Sequence, residues 1–530
     1  MAEESGRPAP TRRSFLRTAG VGAAVLGVAA CTNTPATTPV GNTAQTTGTP
    51  APLPPAGDAV TKGPKYAISR WLAHTSDLKT GEELFALNAG DLTLAASTTK
   101  LWSTAAALDT FGPDFRFETP VYRHGADLVL VAVGDLTMGG RDTPQGTIDF
   151  RPLDHAEAND IPGASLTPED PLAGLDDLAK QVKAAGISQV TGDVVIDARM
   201  FDQATKDTYV LSPIMINDNL VDLTITPGAA GAAATLVSRP VTAAFTINST
   251  VTTSAADQPA AVTVTEDGTT ITVSGTVPAG APILRTAEVK DPQSFARTLF
   301  IEALARAGVA VSAAPTGANP VATLPAVGSY APGDRVALHR SLPFSENIKL
   351  VNKVSMNRQA DTLVVLIGAK NGKRTLDESM PLLAPFIRKA GIDPTTMSLA
   401  DGRGNDYSDL FSPRTVATLL RYMATRPDFP VYKASMPIFG VDGTESTTVP
   451  ADSPAAGKVQ AKSGTTVAGD AMNGRGVIMV RGNAGYMTSK SGRECVVAAY
   501  VNHVPIAEVT GVFDVLEDVG AVVVSMWENS

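Results

Sequence analysis

The chain has 530 residues, more than one hydrophobic core ordinarily serves, so two to four domains are expected. Hydrophobic residues make up 43% and charged residues 18%, the balance of a globular protein and not of a disordered one. Net charge is −10 with basic residues clustered only at the extreme N-terminus, which argues against a nucleic-acid partner; five scattered histidines and two cysteines argue against a metal site.

Taken in order, the chain opens on an address. Arg12-Arg13-Ser14-Phe15-Leu16-Arg17 is a twin-arginine pattern, and the apolar segment after it is too short to span a bilayer but suits a signal-peptide core. That segment ends Val28-Ala29-Ala30-Cys31, which resembles a bacterial lipobox with Cys31 as the lipidated residue. The alternative is a plain cleaved signal with an incidental cysteine. On the first reading residues 1–31 are a lipoprotein-type signal region, and residues 32–63, rich in Thr and Pro, are a flexible linker from a membrane surface. The protein is then exported and lipid-anchored on the outer face of the bacterial cytoplasmic membrane, in the periplasm or at the cell wall. Cys495 is the remaining thiol, and its apolar run predicts a buried strand residue.

A strand is expected through Tyr66, Ile68, Trp71 and Leu72, then a turn at 78–82 and a second strand around Leu84-Phe85-Ala86. The hairpin leads into Ala96-Ser97-Thr98-Thr99-Lys100-Leu101 and an Ala-rich run in which Leu101, Ala105 and Leu108 recur at helical spacing. Ser97 therefore opens a buried helix, and Lys100 lies one turn on, on the same face. A hydroxyl is a weak nucleophile until a neighbouring base takes its proton, and a desolvated lysine can be that base.

Farther on, residues 128–133 read as a strand, 176–185 as a helix stopped by Gly186, 190–197 as a strand, and Asn217-Asp218-Asn219-Leu220-Val221-Asp222 as the start of another. From about 240 to 280 the pattern is all β, with a hairpin about Asp267-Gly268. Asp291-Pro292 caps a helix closed by Gly308. Two Ser-x-Asn triplets follow. Ser355-Met356-Asn357 sits between apolar helical runs, where it can face a cleft; Ser345 and Asn347, just after Pro343, read as capping residues. Ser412-Pro413 opens a helix. Residues 457–465 read as a strand carrying Lys462-Ser463-Gly464-Thr465, whose glycine lets a substrate lie close to the backbone. Strands at 476–480 and 495–501 are expected to pair with it, and an apolar helix over 509–527 to cover the sheet.

Ser-x-x-Lys, Ser-x-Asn and Lys-Ser/Thr-Gly, in that order, are the signatures of penicillin-recognising serine acyltransferases. With Asn217-Asp218-Asn219-Leu220-Val221-Asp222, Asp401-Gly402-x-Gly404, Phe411-Ser412-Pro413-Arg414 and Gly440-x-Asp442-Gly443-Thr444, the chain resembles the class C low-molecular-mass penicillin-binding proteins, the D-alanyl-D-alanine carboxypeptidase/endopeptidase family. The resemblance implies an α/β fold: a β-lactamase/transpeptidase-like domain, an antiparallel sheet flanked by helices, with inserted β-rich domains. The catalytic domain is discontinuous, 64–123 with 331–530, and 124–330 is the insert, with a nested β-rich part around 240–280. The long separation of Ser97 from Ser355 independently requires such an insert.

The resemblance further implies that Ser97 attacks the terminal D-Ala-D-Ala bond of a peptidoglycan stem peptide and becomes acylated, with Lys100 as base. It implies that Ser355 relays a proton, that Asn357 holds the substrate amide, and that Lys462, Ser463, Gly464 and Thr465 meet the terminal carboxylate. β-Lactams would trap the same serine, and no cofactor or metal is implied. Two departures stand out: the third motif is Lys-Ser-Gly where the family usually has Lys-Thr-Gly, and Arg403 and Asp406 stand where it tends to have serines. Competing readings are a catalytically weak peptidoglycan-binding lipoprotein of the same fold, and a β-lactamase or esterase.

Overall fold

The computed structural model describes residues 49–530 apart from Val509. The twin-arginine segment, Cys31 and most of the linker lie outside the described residues. Within them the linker reading stops early. Leu53 is buried, Ala51 bridges to Phe85, and Pro55–Thr61 is a helix laid against the C-terminal helix Gly511–Asn529.

A five-stranded antiparallel sheet organises the catalytic end, in the order Glu83–Leu87, Arg70–Asp77, Glu494–Ile506, Arg475–Thr488, Val459–Asp470. Tyr66 belongs to a short 3-10 turn and Ile68 is exposed, so the first strand starts at Arg70, later than the sequence suggests. The 494–506 strand pairs with 475–488 and 70–77, not with the strand of Lys462.

Alternation with period two sends Trp71, Ala73, Cys495, Val497 and Ala499 to one face and Leu72, Val496, Ala498 and Tyr500 to the other. The first face is sealed by the C-terminal helix through Val515, Val519, Val522, Val523 and Met526. Burying each of these side chains contributes about 1.5–3 kcal/mol, which fixes the helix there. Cys495 is fully buried, and burial pushes its thiol up to about 12, as an inert core residue. The second face packs on helices Lys100–Phe111, Phe344–Lys353, Asn357–Lys370 and Pro413–Ala424. Ser412 caps the last of these through the amide of Thr415.

The insert has a separate apolar core around Val121, Leu130, Leu178, Ile196, Leu223 and Leu299. Strands Glu118–His124 and Arg335–Arg340 pair with each other, and with Asp127–Val131 and Val194–Asp197 complete a four-stranded sheet. Both expected junctions, at 124 and 330, thus fall within or beside strands of that sheet, and Phe117 and Ser341 bond to each other at its neck. Helices Ala173–Ala184 and Pro292–Arg306 pack together there, the latter capped by Asp291. Leu220–Thr226 lies between Thr235–Arg239 and Ile283–Glu288, and the expected hairpin forms with Asp267 opposite Thr270.

Candidate active site

The 3-10 turn Ala96–Thr99 brings Ser97 to the inner edge of the sheet and runs into the Lys100 helix. Ala96 has φ 43°, a left-handed conformation that a residue other than glycine rarely adopts. The turn is held on every side. Ala95 N donates to Asp409 O at 2.9 Å, Thr98 Oγ1 to Ala95 O at 2.5 Å, and Tyr500 Oη to Thr98 Oγ1 at 3.2 Å. Strained backbone locked by its surroundings is a frequent mark of reactive centres.

Lys100 is fully buried. Its Nζ lies 2.6 Å from Ser97 Oγ, 2.7 Å from Asn357 Oδ1 and 3.1 Å from Arg403 O. Burial drives its pKa down to about 7, against the opposing pull of Asp401, Glu157 and Asp361. The amine can therefore accept a proton near neutral pH, and it stands 2.6 Å from the Ser97 hydroxyl. Ser355, at φ 69°, links helices Phe344–Lys353 and Asn357–Lys370, while Asn357 opens the second of them. Lys462 is also fully buried; its Nζ donates to Ser355 Oγ at 2.9 Å and to Ser463 O at 2.7 Å. Burial, and then the charge of Lys100, hold its pKa well below the usual lysine value. Ser463 Oγ lies 2.8 Å from Thr444 Oγ1, and Arg481 donates to Thr465 Oγ1 at 2.7 Å.

All the residues singled out from the three motifs thus converge, and Ser97, Ser355, Asn357, Ser463 and Thr465 line one cavity of about 660 Å³. Gly464 also packs against a neighbour within the protein. A Cβ there would sit 2.8 Å from Ala95 O and 3.1 Å from Ser97 N, so the missing side chain admits the turn that carries Ser97. Ser345 and Asn347 do not cap: Pro343 occupies the cap position of that helix with no side-chain bond, and Asn347 Nδ2 instead donates to Leu342 O at 2.9 Å. The 401–405 loop does line the cavity, through Arg403, Gly404 and Asn405. Asp406 turns away and accepts from Ser408 N at 2.8 Å.

Two groups were missed from the sequence. Glu157, at the end of the His155–Glu157 turn of the insert, faces the cavity, and its pKa is raised by burial and Asp160 against the pull of Lys100 and Lys462. Arg481, opposite Thr465 on the next strand, pairs with the buried Glu445 at 3.1 Å. Only the register of a sheet places Arg481 there, and only the fold brings the insert over Ser97.

The profile of the D-Ala-D-Ala carboxypeptidase 3 (S13) family matches residues 58–512. The chain belongs to that family. It is 29% identical over 435 residues to a D-alanyl-D-alanine carboxypeptidase of Actinomadura sp. (strain R39), covering 75% of this chain and 73% of that protein. Over a shorter stretch of 173 residues it is 31% identical to D-alanyl-D-alanine carboxypeptidase DacB of Haemophilus influenzae, 32% of this chain and 34% of that one. The crystal structure of penicillin binding protein 4 (dacB) from Haemophilus influenzae shares the fold, with a TM-score of 0.64 and 18% identity over 89% of this chain and 99% of that one. The family assignment makes the chain a serine hydrolase of the D-alanyl-D-alanine carboxypeptidase type, as the three motifs imply.

Proposed function

We propose that the chain removes the terminal D-alanine of peptidoglycan stem peptides through an acyl-enzyme on Ser97. The observation that carries this reading is the contact of a buried, pKa-lowered Lys100 with Ser97 Oγ at 2.6 Å. Lys100 takes the proton of Ser97 as the hydroxyl attacks the carbonyl carbon of the D-Ala-D-Ala bond. The Ser97 and Thr465 amides meet the developing oxyanion. Ser355, bonded to Lys462, passes a proton to the leaving amine; Asn357 orients the substrate amide, and Ser463 and Thr465, with the Lys462 amine beside them, receive the carboxylate. Water then frees Ser97. A β-lactam acylates the same oxygen and releases slowly.

The intact set of Ser97, Lys100, Ser355, Asn357 and Lys462 favours catalysis over a binding-only role, and a separate apolar core supports an insert in the catalytic domain, with strands Glu118–His124 and Arg335–Arg340 siding with the insert through Val121 and Ala337. Export by the twin-arginine segment and anchoring through a lipid on Cys31 complete the proposal. No helix among the described residues is long and apolar enough to cross a membrane.

Purified protein incubated with a D-Ala-D-Ala pentapeptide should release D-alanine, and a cross-linked muropeptide should yield monomer if the enzyme also acts as an endopeptidase. Release of neither, from folded protein, would overturn the catalytic reading.

A further inference from the structure

Arg403 belongs to none of the three motifs, yet it is bound more elaborately than any of their members. Its side chain is only 7% exposed. Nε lies 3.1 Å from Asp401 Oδ2 and 3.6 Å from Asp361 Oδ2, and a terminal nitrogen donates to Asp207 Oδ2 at 2.5 Å. The guanidinium lies 5.1 Å from the ring centre of Tyr209, whose hydroxyl donates to Asp361 at 2.6 Å. Asp207 and Tyr209 come from the insert, on the hairpin of Ala204–Lys206 and Tyr209–Leu211. Meanwhile the backbone oxygen of Arg403 accepts from Lys100 Nζ at 3.1 Å. One residue therefore joins the insert to the amine that faces Ser97.

We propose that Arg403 is a positioning residue for Lys100, fixing its amine against Ser97 and offsetting the carboxylates behind it, and that the insert hairpin takes part in catalysis through Asp207. The proposal rests on the reading of Lys100 as the base. Charged groups face that amine from four elements. Asp401 and Arg403 face it from the 401–405 loop, Asp361 from the Asn357–Lys370 helix, Glu157 from the turn of the insert, and Lys462 from its strand. Asp401, Glu157 and Asp361 stabilise the ammonium; Arg403 opposes them. Without the guanidinium, the pull of Asp401 and Glu157 on Lys100 is countered less, with Lys462 the cation still facing the amine, and the amine holds its proton to higher pH. Because the base works only when unprotonated, the acidic limb of the acylation profile must then move up.

The test is the second-order rate of acylation by a fluorescent penicillin between pH 5 and 10, with folding checked by circular dichroism. Arg403→Gln keeps length and hydrogen bonding without the charge, and should move the limb measurably to higher pH. Arg403→Lys keeps the charge and should return the limb most of the way. Should Arg403→Gln not fold, Arg403→Ser carries the same expectation. Asp207 is half exposed, so Asp207→Asn should fold normally yet acylate several-fold more slowly. A limb that stays in place in the uncharged variant, or moves equally in Arg403→Lys, overturns the electrostatic role; wild-type rates in Asp207→Asn overturn the role of the hairpin. Ser97→Ala separates the two levels. If it is still labelled, the nucleophile assignment fails and the Arg403 proposal falls with it. If labelling is lost while Arg403→Gln leaves the limb in place, the Arg403 proposal fails alone.

Discussion

Gly404→Ala should disable the nucleophile without touching it. Gly404 has φ +87°, and a Cβ built there would stand 1.7 Å from Ala96 O and 2.8 Å from Thr99 Oγ1. Both contacts belong to the turn that carries Ser97, and the first is backbone, which has no rotamer to change. The turn and the 401–405 loop must separate by more than an ångström. Forcing alanine into the left-handed region costs roughly 1–2 kcal/mol of stability and relieving the clash about 1–3 kcal/mol more, which together lower Tm by several degrees in a chain of this size. Catalysis is far more sensitive, because a shift of about 1 Å in a reacting group can cost on the order of 100-fold in rate. The assay is penicillin acylation beside the melting temperature, with Gly469→Ala as the control; a Cβ at Gly469 meets open space. The expected result is a loss of about 100-fold in Gly404→Ala while the protein stays folded with Tm lowered by several degrees, and the control at wild-type rate. Acylation within twofold of wild type would refute the steric reasoning, and so would an equal loss in the control.

Three further outcomes follow from the same geometry. Wild-type acylation should rise with pH through about 7, where Lys100 loses its proton, and Lys100→Arg should lose on the order of 10²–10⁴-fold, since a guanidinium cannot act as base; a flat profile or a fast mutant would contradict this. His155 is buried between Asp218 and Asp222 at 2.7 Å from each, and these carboxylates outweigh burial and lift its pKa to about 9. Its charge therefore stabilises the fold fully below pH 6.5 and ceases to do so as pH rises through about 9, so His155→Gln should cost a few kcal/mol at pH 6 and much less at pH 9.5 by urea denaturation; an equal cost at both would contradict the charged state. Lys462→Arg should lose acylation nearly as fully as Lys462→Ala, because a guanidinium is bulkier than the fully buried amine whose place between Ser355 and Ser463 it takes; a rate near wild type would show that the site accommodates it.

Much of the site was legible because the chemistry sits in short motifs with fixed local geometry. The three-residue spacing of Ser97 and Lys100 brings them together, across the turn that runs into the helix, and Ser355-Met356-Asn357 could be chosen over Ser345 and Asn347 because it lies between two apolar runs. The sheet was legible from alternation in Trp71-Leu72-Ala73 and in the run after Cys495. What stayed hidden was long-range. Nothing local to Pro55–Thr61 says that a Pro- and Thr-rich stretch will find an apolar groove on the C-terminal helix, since the signal lies in Leu53 and in a partner hundreds of residues away. The packing of Gly464 was hidden for the same reason, because an atom that needs the space belongs to Ala95. Glu157, Arg403 and Arg481 are ordinary charged residues in sequence. They gain meaning from register and from the docking of the insert, and only Arg403 had been marked, as a departure from the family pattern.

The most direct measurement is the mass of the peptide that carries the acyl group after incubation with benzylpenicillin. One adduct is expected, on the proteolytic fragment containing Ser97, and none on the folded Ser97→Ala variant. An adduct on another residue, or an undiminished adduct on that variant, would contradict the assignment of Ser97 as the nucleophile.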